Sequence, residues 1–151
     1  MSDIPKTVSK RSVMEQETEL FGEHFVETRN RKMPKLIIDK FADNLDEFRN
    51  QISGCLNCVL GESRTNFVFG SGSPTADLMF VGEAPGKNED LQGLPFVGRS
   101  GNLLDDILTA INLKRTDVYI ANIAKCRPPN NRNPLAGEIA SCEPYLKHQI
   151  D

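Results

Sequence analysis

The pattern of apolar and polar positions changes character at about residue 35. In residues 1–34, charges of both signs are mixed with scattered apolar residues, which predicts a flexible N-terminal extension. Within that extension, residues 13–26 could form a helix. Residues 35–151 carry regular apolar patterns and predict one folded domain.

Helical and strand patterns alternate along this domain. Leu45, Phe48 and Ile52 recur at helical spacing and predict a helix that ends at Gly54. Strands are predicted at 66–69, 78–81 and 118–124, with further helices at about 101–112 and 134–149. The apolar faces of the two later helices comprise Leu103, Leu104, Ile107, Leu108 and Ile111, and then Leu135, Ile139, Cys142, Leu146 and Ile150.

This alternation predicts an α/β fold with a parallel sheet covered by helices. Ligands of such sheets bind beyond the C-terminal ends of the strands. Two loops that contain glycine, proline and charged residues begin there, one at 82–98 and the other at 125–133. A candidate site is therefore expected where these two loops meet.

Composition adds little to this picture. The chain is 38% hydrophobic and 26% charged, which is ordinary for a globular protein. No apolar run approaches the roughly 20 residues that span a bilayer, and no secretory pattern opens the chain, so we expect a cytoplasmic protein with no membrane partner. The net charge of −3 neither supports nor excludes a nucleic-acid partner, since a local basic face matters more than the total.

The four cysteines indicate a metal centre. Cys55 and Cys58 form a C-x2-C pair, and Cys126 and Cys142 follow much later. Zinc ribbons use two close pairs, and a thioredoxin-like pair would leave the later two cysteines without a role. Four thiolates suit a [4Fe–4S] cluster. Alternatively, Cys142 is only a small core residue of the last helix.

Three segments carry candidate chemistry. The run 82–90 (GEAPGKNED) predicts a rigid turn that holds Glu83 toward a cleft, or else a tight turn with solvated carboxylates. Phe96 stands between turn residues and either stacks on a base or plugs the core. Asn122 lies late in an apolar strand; its amide matches the O4 and N3–H edge of uracil, or it ties down a neighbouring loop.

Basic residues close to these segments are candidate phosphate contacts. They are Arg64, Arg99, Lys125, Arg127 and Arg132.

Together these motifs resemble the family 4 uracil-DNA glycosylases, the group also described as related to a phage DNA polymerase domain. The resemblance runs from about Cys55 to Gln149 and rests on the C-x2-C pair, GEAPGKNED, LPFVGRSG, YIANIAKCRPPNNR and Cys142. It implies a three-layer α/β/α sandwich with a mostly parallel central sheet, and hydrolysis of the uracil N-glycosidic bond in DNA. It also implies a [4Fe–4S] cluster held by all four cysteines.

The resemblance also assigns roles to single positions. It implies that Glu83, Ala84 and Pro85 line a uracil pocket, that Phe96 stacks on the flipped base and that Asn122 reads its edge. Glu83, Glu89 and Asn131 match positions implicated in catalysis or its support. The implied partner is uracil-containing DNA, bound by a monomer.

One departure from the family pattern bears on activity. The family continues with another strand and a His-Pro-Ser loop, whereas the only histidines here are His24 and His148, and neither precedes a Pro-Ser pair. We therefore expect a domain truncated at its C-terminus. The alternatives to a glycosylase are a catalytically inactive iron–sulfur protein that still binds DNA, or a redox module.

Overall fold

A computed structural model describes residues 36–151, so the extension predicted at 1–34 and the helix at 13–26 lie outside the described residues. The helices are α1 (Leu45–Ile52), α2 (Leu60–Ser63), α3 (Lys87–Gln92), α4 (Arg99–Ala110) and α5 (Ala136–Ile150); the strands are β1 (Ser71–Gly72), β2 (Met79–Gly82) and β3 (Tyr119–Asn122); and a 3-10 helix covers Pro129–Asn131. None of the helices in this part of the chain is long and apolar enough to cross a membrane.

The three strands form a mixed sheet in the order β1-β3-β2. Strand β2 runs parallel to β3 and places Gly82 opposite Asn122, while β1 is antiparallel to β3. The α/β class is confirmed.

The strand predicted at 66–69 is wrong. Val68 and Phe69 are buried, but their segment joins no strand, and the Val68 N–H donates instead to the Lys125 carbonyl at 2.9 Å. A short apolar run signals burial, which a packed loop satisfies as well as a strand.

Helices cover both faces of the sheet, because neighbouring residues of β3 point to opposite sides. Ile120 packs on one side with Leu104 and Leu108 of α4. Tyr119 and Ala121 pack on the other side with Leu146 of α5, against which Leu45 of α1 also lies.

The loop that carries the first two cysteines starts from a well-defined helix end. At the N-terminus of α1, Asn44 Oδ1 accepts hydrogen bonds from the N–H groups of Asp46 and Glu47 at 2.8 and 3.3 Å, as an N-cap residue does. At the other end, the Cys55 N–H donates to the Ile52 carbonyl at 2.9 Å. The turn after α1 therefore fixes the position of Cys55.

The predicted apolar faces of α4 and α5 are too wide. In α4, Leu104 and Leu108 are buried, whereas Leu103, Ile107 and Ile111 at its C-cap are exposed in the described part of the chain. Successive residues of an α-helix are rotated by about 100°. Leu103 and Leu104 therefore cannot both face the sheet. Leu135, the N-cap residue of α5, and Ile150, its last residue, are also exposed.

Candidate functional site

A cavity of about 350 Å³ opens where β2 and β3 end, at the edge of the sheet where parallel α/β folds bind ligands. Its lining comprises Gly82, Glu83, Ala84, Gly86, Glu89, Phe96, Ser100 and Asn122. Of the residues predicted for a uracil pocket, the structure brings Glu83, Ala84, Phe96 and Asn122 together here. Pro85 is fully buried and is not part of the lining.

The Asn122 side chain is the most buried polar group of this wall, at 3% exposure. Its backbone oxygen accepts from Lys125 Nζ at 2.8 Å, but its side-chain amide has no hydrogen-bond partner within residues 36–151. No fully enclosed side-chain nitrogen or oxygen in that range lacks a partner, so the amide reaches the open space of the cavity. A ligand with a matching donor and acceptor would satisfy it.

The Phe96 ring lies against the same strand end. A Cβ added to Gly82 would be 2.8 Å from ring atoms Cε2 and Cζ, so only glycine allows the ring to approach this closely. The ring also packs at the edge of the core that includes Leu104 and Ile120. Phe96 therefore combines both predicted positions, in the cavity wall and at the margin of the core.

Glu89, near the start of α3, links this helix to the backbone just after Phe96. Its Oε1 accepts hydrogen bonds from the N–H groups of Val97 and Gly98 at 3.0 and 2.8 Å, and the residue is 8% exposed. Glu83, by contrast, is exposed. The two carboxylates thus have different surroundings: Glu89 is held by the backbone beyond Phe96, and Glu83 meets solvent.

A second cavity, of about 710 Å³, adjoins the first and shares Gly86, Glu89 and Ser100 with it. Asn131 lines this second cavity and not the first. Asn131 has a positive φ of 56°, and its Oδ1 accepts from Arg127 Nε at 2.7 Å. The structure therefore separates Asn131 from the residues around Asn122.

The five basic residues predicted as DNA contacts differ in exposure and in whether their side chains already have partners within the protein. Arg99 is exposed in the wall of the second cavity. Arg127 is half-buried and bonded to Asn131, and Arg132 forms a two-pronged ion pair with Glu138.

Lys125 does not fit a DNA-contacting role. It is fully buried, with Nζ bonded to the Asn122 carbonyl and to Gln149 Oε1, and burial lowers its pKa to about 8. Its ammonium group is buried and bonded within the protein, which argues against a phosphate contact. The basic character of a loop in the sequence does not reveal that one of its side chains points inward.

The four predicted metal ligands lie in one region between α1, α2 and α5. All four are free cysteines; Cys55, Cys126 and Cys142 are buried, and Cys58 is half-buried. They lie close enough for the charges of neighbouring thiols to affect the pKa values of Cys58, Cys126 and Cys142.

Burial is the main influence on these thiols. It raises the pKa of Cys126 to about 11 and that of Cys142 to about 12. Arg64 and Lys125 oppose this rise as positive neighbours. Without a cation, the Cys126 and Cys142 thiols stay protonated at neutral pH.

Hydrogen-bond donors surround the sulfur atoms. The backbone N–H of Lys125 donates to Cys142 Sγ at 3.3 Å, and that of Asn57 donates to Cys55 Sγ at 3.4 Å. Arg64 Nη1 donates to Cys126 Sγ at 3.4 Å and also to the Cys55 carbonyl, so it joins the two cysteine loops. The predicted phosphate contact Arg64 is thus engaged at the cysteines. Such donors stabilise thiolates around a metal.

Within the described range, no three or more Cys, His, Asp or Glu side chains form a group suited to a single metal ion.

Several residues of these sites were not predicted individually. Gly82, Gly86 and Ser100 lie within the motifs that were recognised and line the cavity. Tyr145 lies one helical turn after Cys142, and its Oη is 3.2 Å from Cys55 Sγ; the spacing of three residues along the helix could have indicated it.

Comparison with known proteins identifies the superfamily of this chain. The profile described as the uracil DNA glycosylase superfamily matches residues 69–151, more than half of the chain. The chain belongs to this superfamily. Its similarity is to the type-4 branch.

Three type-4 uracil-DNA glycosylases illustrate this similarity. The protein of Archaeoglobus fulgidus is 49% identical over 109 residues, which are 72% of this chain and 55% of that protein. The protein of Sulfurisphaera tokodaii is 51% identical over 110 residues, 72% of this chain and 50% of that protein. The protein of Thermotoga maritima is 48% identical over 101 residues, 67% of this chain and 53% of that protein. The chain spans about half the length of these curated relatives.

Proposed function

We propose that this protein removes uracil from DNA by hydrolysing the N-glycosidic bond, as the name of its type-4 relatives states for them. The observation that carries the proposal is the unpartnered amide of Asn122, which faces a cavity whose wall also holds the Phe96 ring. The amide has a donor and an acceptor that open onto the cavity, so a ligand with the matching edge can bond to both.

In this proposal the cavity receives a uracil that has left the DNA stack. Asn122 Nδ2 donates to uracil O4 and Oδ1 accepts from N3–H, while the Phe96 ring stacks on the base. A cavity of about 350 Å³ lies within the usual size range of small-molecule sites. Extrusion from the duplex is cheapest for a mismatched base, which favours uracil opposite guanine.

The proposed chemistry requires stabilisation of opposite charges. Uracil leaves as an anion while the sugar becomes cationic, so the site must bind this charge distribution more tightly than it binds the substrate. Glu83 is available at the cavity to face the sugar or to orient the attacking water. Glu89 acts in support, because its Oε1 already holds the Val97 and Gly98 amides.

The second cavity extends the proposed site toward the sugar and phosphates of the substrate. Asn131 and Arg99 line it next to Glu89, with Arg127 bonded to Asn131. A positively charged Arg99 beside the cavity is suited to a phosphate, which positions DNA without reading its sequence. Arg132 contributes a weaker field, since Glu138 neutralises it.

The proposed cofactor is a [4Fe–4S] cluster held by Cys55, Cys58, Cys126 and Cys142. The residues fit this group, because four thiols gather in one buried region with Arg64, Lys125 and backbone N–H groups as donors. The four cysteine thiolates would hold the cluster. Its role would be structural: it would join the loop after α1, the loop 125–133 and α5.

The proposed fold is the three-layer α/β/α sandwich with a mostly parallel central sheet. The packing of α4 on one face and of α1 and α5 on the other supports the layering. The parallel pairing of β2 with β3 supports the sheet type, and the short β1 is the antiparallel member.

The test is release of free uracil from a duplex with one U·G pair, compared with a T·G duplex. The proposal predicts uracil release by the protein and its loss in Asn122→Ala, with no loss in the control Asn50→Ala on the exposed side of α1. Binding of uracil-containing DNA without release would support the inactive DNA-binding alternative. Absence of both would reject the proposed function.

A further inference from the structure

The peptide of Phe96 adopts a costly conformation. Its φ is +53°, in the left-handed region that bulky side chains rarely occupy. Such a conformation persists only where surrounding contacts enforce it, and it occurs most often at binding and catalytic sites. The residue with this backbone is the one whose ring forms the cavity wall.

Arg115 supplies the contacts on one side. Its guanidinium donates hydrogen bonds to three backbone carbonyls, those of Pro95 at 3.3 Å, of Gly101 at 3.3 Å and of Phe96 itself. Its Nε donates to Asp105 Oδ1 on α4. The planar, five-donor guanidinium can serve four acceptors in one fixed arrangement, which a lysine cannot do.

Two further contacts restrict the backbone of the loop between α3 and α4, which contains Phe96. A Cβ on Gly101 would lie 1.8 Å from the Phe96 oxygen, so the carbonyl occupies space that only glycine leaves open. On the other side, Glu89 holds the next two backbone N–H groups, at Val97 and Gly98. The peptides before and after the Phe96 ring are thus fixed from opposite sides.

We propose that Arg115, oriented by Asp105, is a positioning residue that holds Phe96 in its left-handed conformation and thereby keeps the ring against Gly82 in the cavity wall. Arg115 does not line this cavity. It acts through the backbone of Phe96. The consequence for uracil recognition rests on the function proposed above.

Loss of the guanidinium removes the bonds that offset the cost of the left-handed backbone. The loop then relaxes, and the ring occupies the cavity wall for only a fraction of the time. We expect Arg115→Ala to weaken uracil binding about tenfold to a hundredfold, because the stored conformational cost is of that order. Arg115→Lys should recover only a small part, since an ammonium cannot bond to three carbonyls and Asp105 together.

The decisive measurement does not require activity. In NMR spectra of the wild type, the Phe96 ring protons should show nuclear Overhauser contacts to Gly82 Hα. These contacts should weaken in Arg115→Ala and in the milder Asp105→Asn, which keeps the α4 side chain nearly the same size. They should remain in the controls Lys114→Ala and Asp106→Asn, whose side chains are exposed neighbours of the two residues. Retention of the Phe96–Gly82 contacts in both Arg115→Ala and Asp105→Asn would overturn the proposal.

A double-mutant cycle separates positioning from general stability. If Arg115 acts through the ring, Arg115→Ala should weaken uracil binding in the wild type but have no further effect in Phe96→Ala. Equal losses in both backgrounds would overturn the proposal. A wild type with intact Phe96–Gly82 contacts that does not bind uracil would instead reject the proposed function and leave the positioning role standing on the NMR result.

Discussion

A Cβ added to Gly82 would lie 2.3 Å from Oδ1 of Asn122. The two residues are partners in the parallel pairing of β2 with β3 and stand at the ends of both strands. The amide of Asn122 therefore occupies the space where any other residue at position 82 would place its side chain. A glycine on the adjacent strand therefore leaves the space that the buried Asn122 amide occupies in the cavity wall.

We predict that Gly82→Ala abolishes uracil binding without unfolding the protein. The new methyl group would displace the Asn122 amide and the Phe96 ring together, and both can move into the cavity. Calorimetric titration with uracil measures the binding, and thermal unfolding measures the stability.

Gly137→Ala is the matched control for that change. Gly137 lies within α5, where a Cβ meets nothing within 4 Å. Alanine in a helix is favoured over glycine by about 0.5–1 kcal/mol. This control should bind uracil normally and be slightly more stable. Unchanged uracil binding in Gly82→Ala would contradict the assigned position of Asn122.

A second prediction concerns the choice of base. Asn122→Asp should shift preference from uracil toward cytosine, because a carboxylate accepts from the cytosine N4 amine but cannot donate to uracil O4. Each mismatched contact should cost roughly 1–3 kcal/mol. Competition between oligonucleotides with a U·G or a C·G pair measures the shift. Full uracil preference in the variant would mean that the amide has only a structural role.

The cysteine region gives a third prediction. Protein purified without oxygen should be brown and contain about four irons per chain. Cys126→Ala should lose the colour and lower the melting temperature, because the metal–thiolate bonds that join separate segments of the chain would be lost. Ser141→Ala, next to Cys142 on α5, is the control and should keep both. A colourless, folded wild type that binds one zinc ion would contradict the proposed cluster.

Mutation of Lys125 should affect folding stability, whereas mutation of Arg99 should affect the salt dependence of DNA binding. Lys125→Met leaves the Asn122 carbonyl and the Gln149 amide oxygen without their donor, so it should lower the free energy of unfolding by about 1–3 kcal/mol. It should not change the salt dependence of DNA binding. Arg99→Ala should leave stability unchanged and reduce the slope of log K against log salt by about one. Urea unfolding and binding at several salt concentrations distinguish the two. A reduced salt slope in Lys125→Met would restore Lys125 as a DNA contact.

The sequence predicted the parts of this structure that have a local signature. The periodicity of Leu45, Phe48 and Ile52 located α1 to within two residues of its observed end. Asn122 was predicted late in an apolar strand, and it lies at the C-terminal end of β3. Parallel strands bring their C-terminal ends together, so this position faces the side of the sheet where ligands bind.

The remaining features depend on tertiary contacts that no local pattern encodes. The apolar run 66–69 is buried beside Lys125 and not in the sheet, and periodicity cannot make that distinction. In the sequence, Lys125 resembles an exposed basic residue, and only its tertiary contacts show that it is buried. Arg115 lies outside every motif, and its importance appears only when the carbonyls of Pro95, Phe96 and Gly101 are seen to converge on it.

The most direct test of the account is an NMR titration of the wild-type protein with free uracil and, separately, with cytosine, observed at the Asn122 side-chain amide. Uracil should shift both Nδ2 proton signals and the Gly82 backbone signal in a saturable way, and cytosine at the same concentration should shift them much less, since it lacks the N3–H and O4 groups. Equal responses to the two bases, or saturable uracil binding that leaves the Asn122 signals unmoved, would contradict the assignment of this cavity as the uracil site.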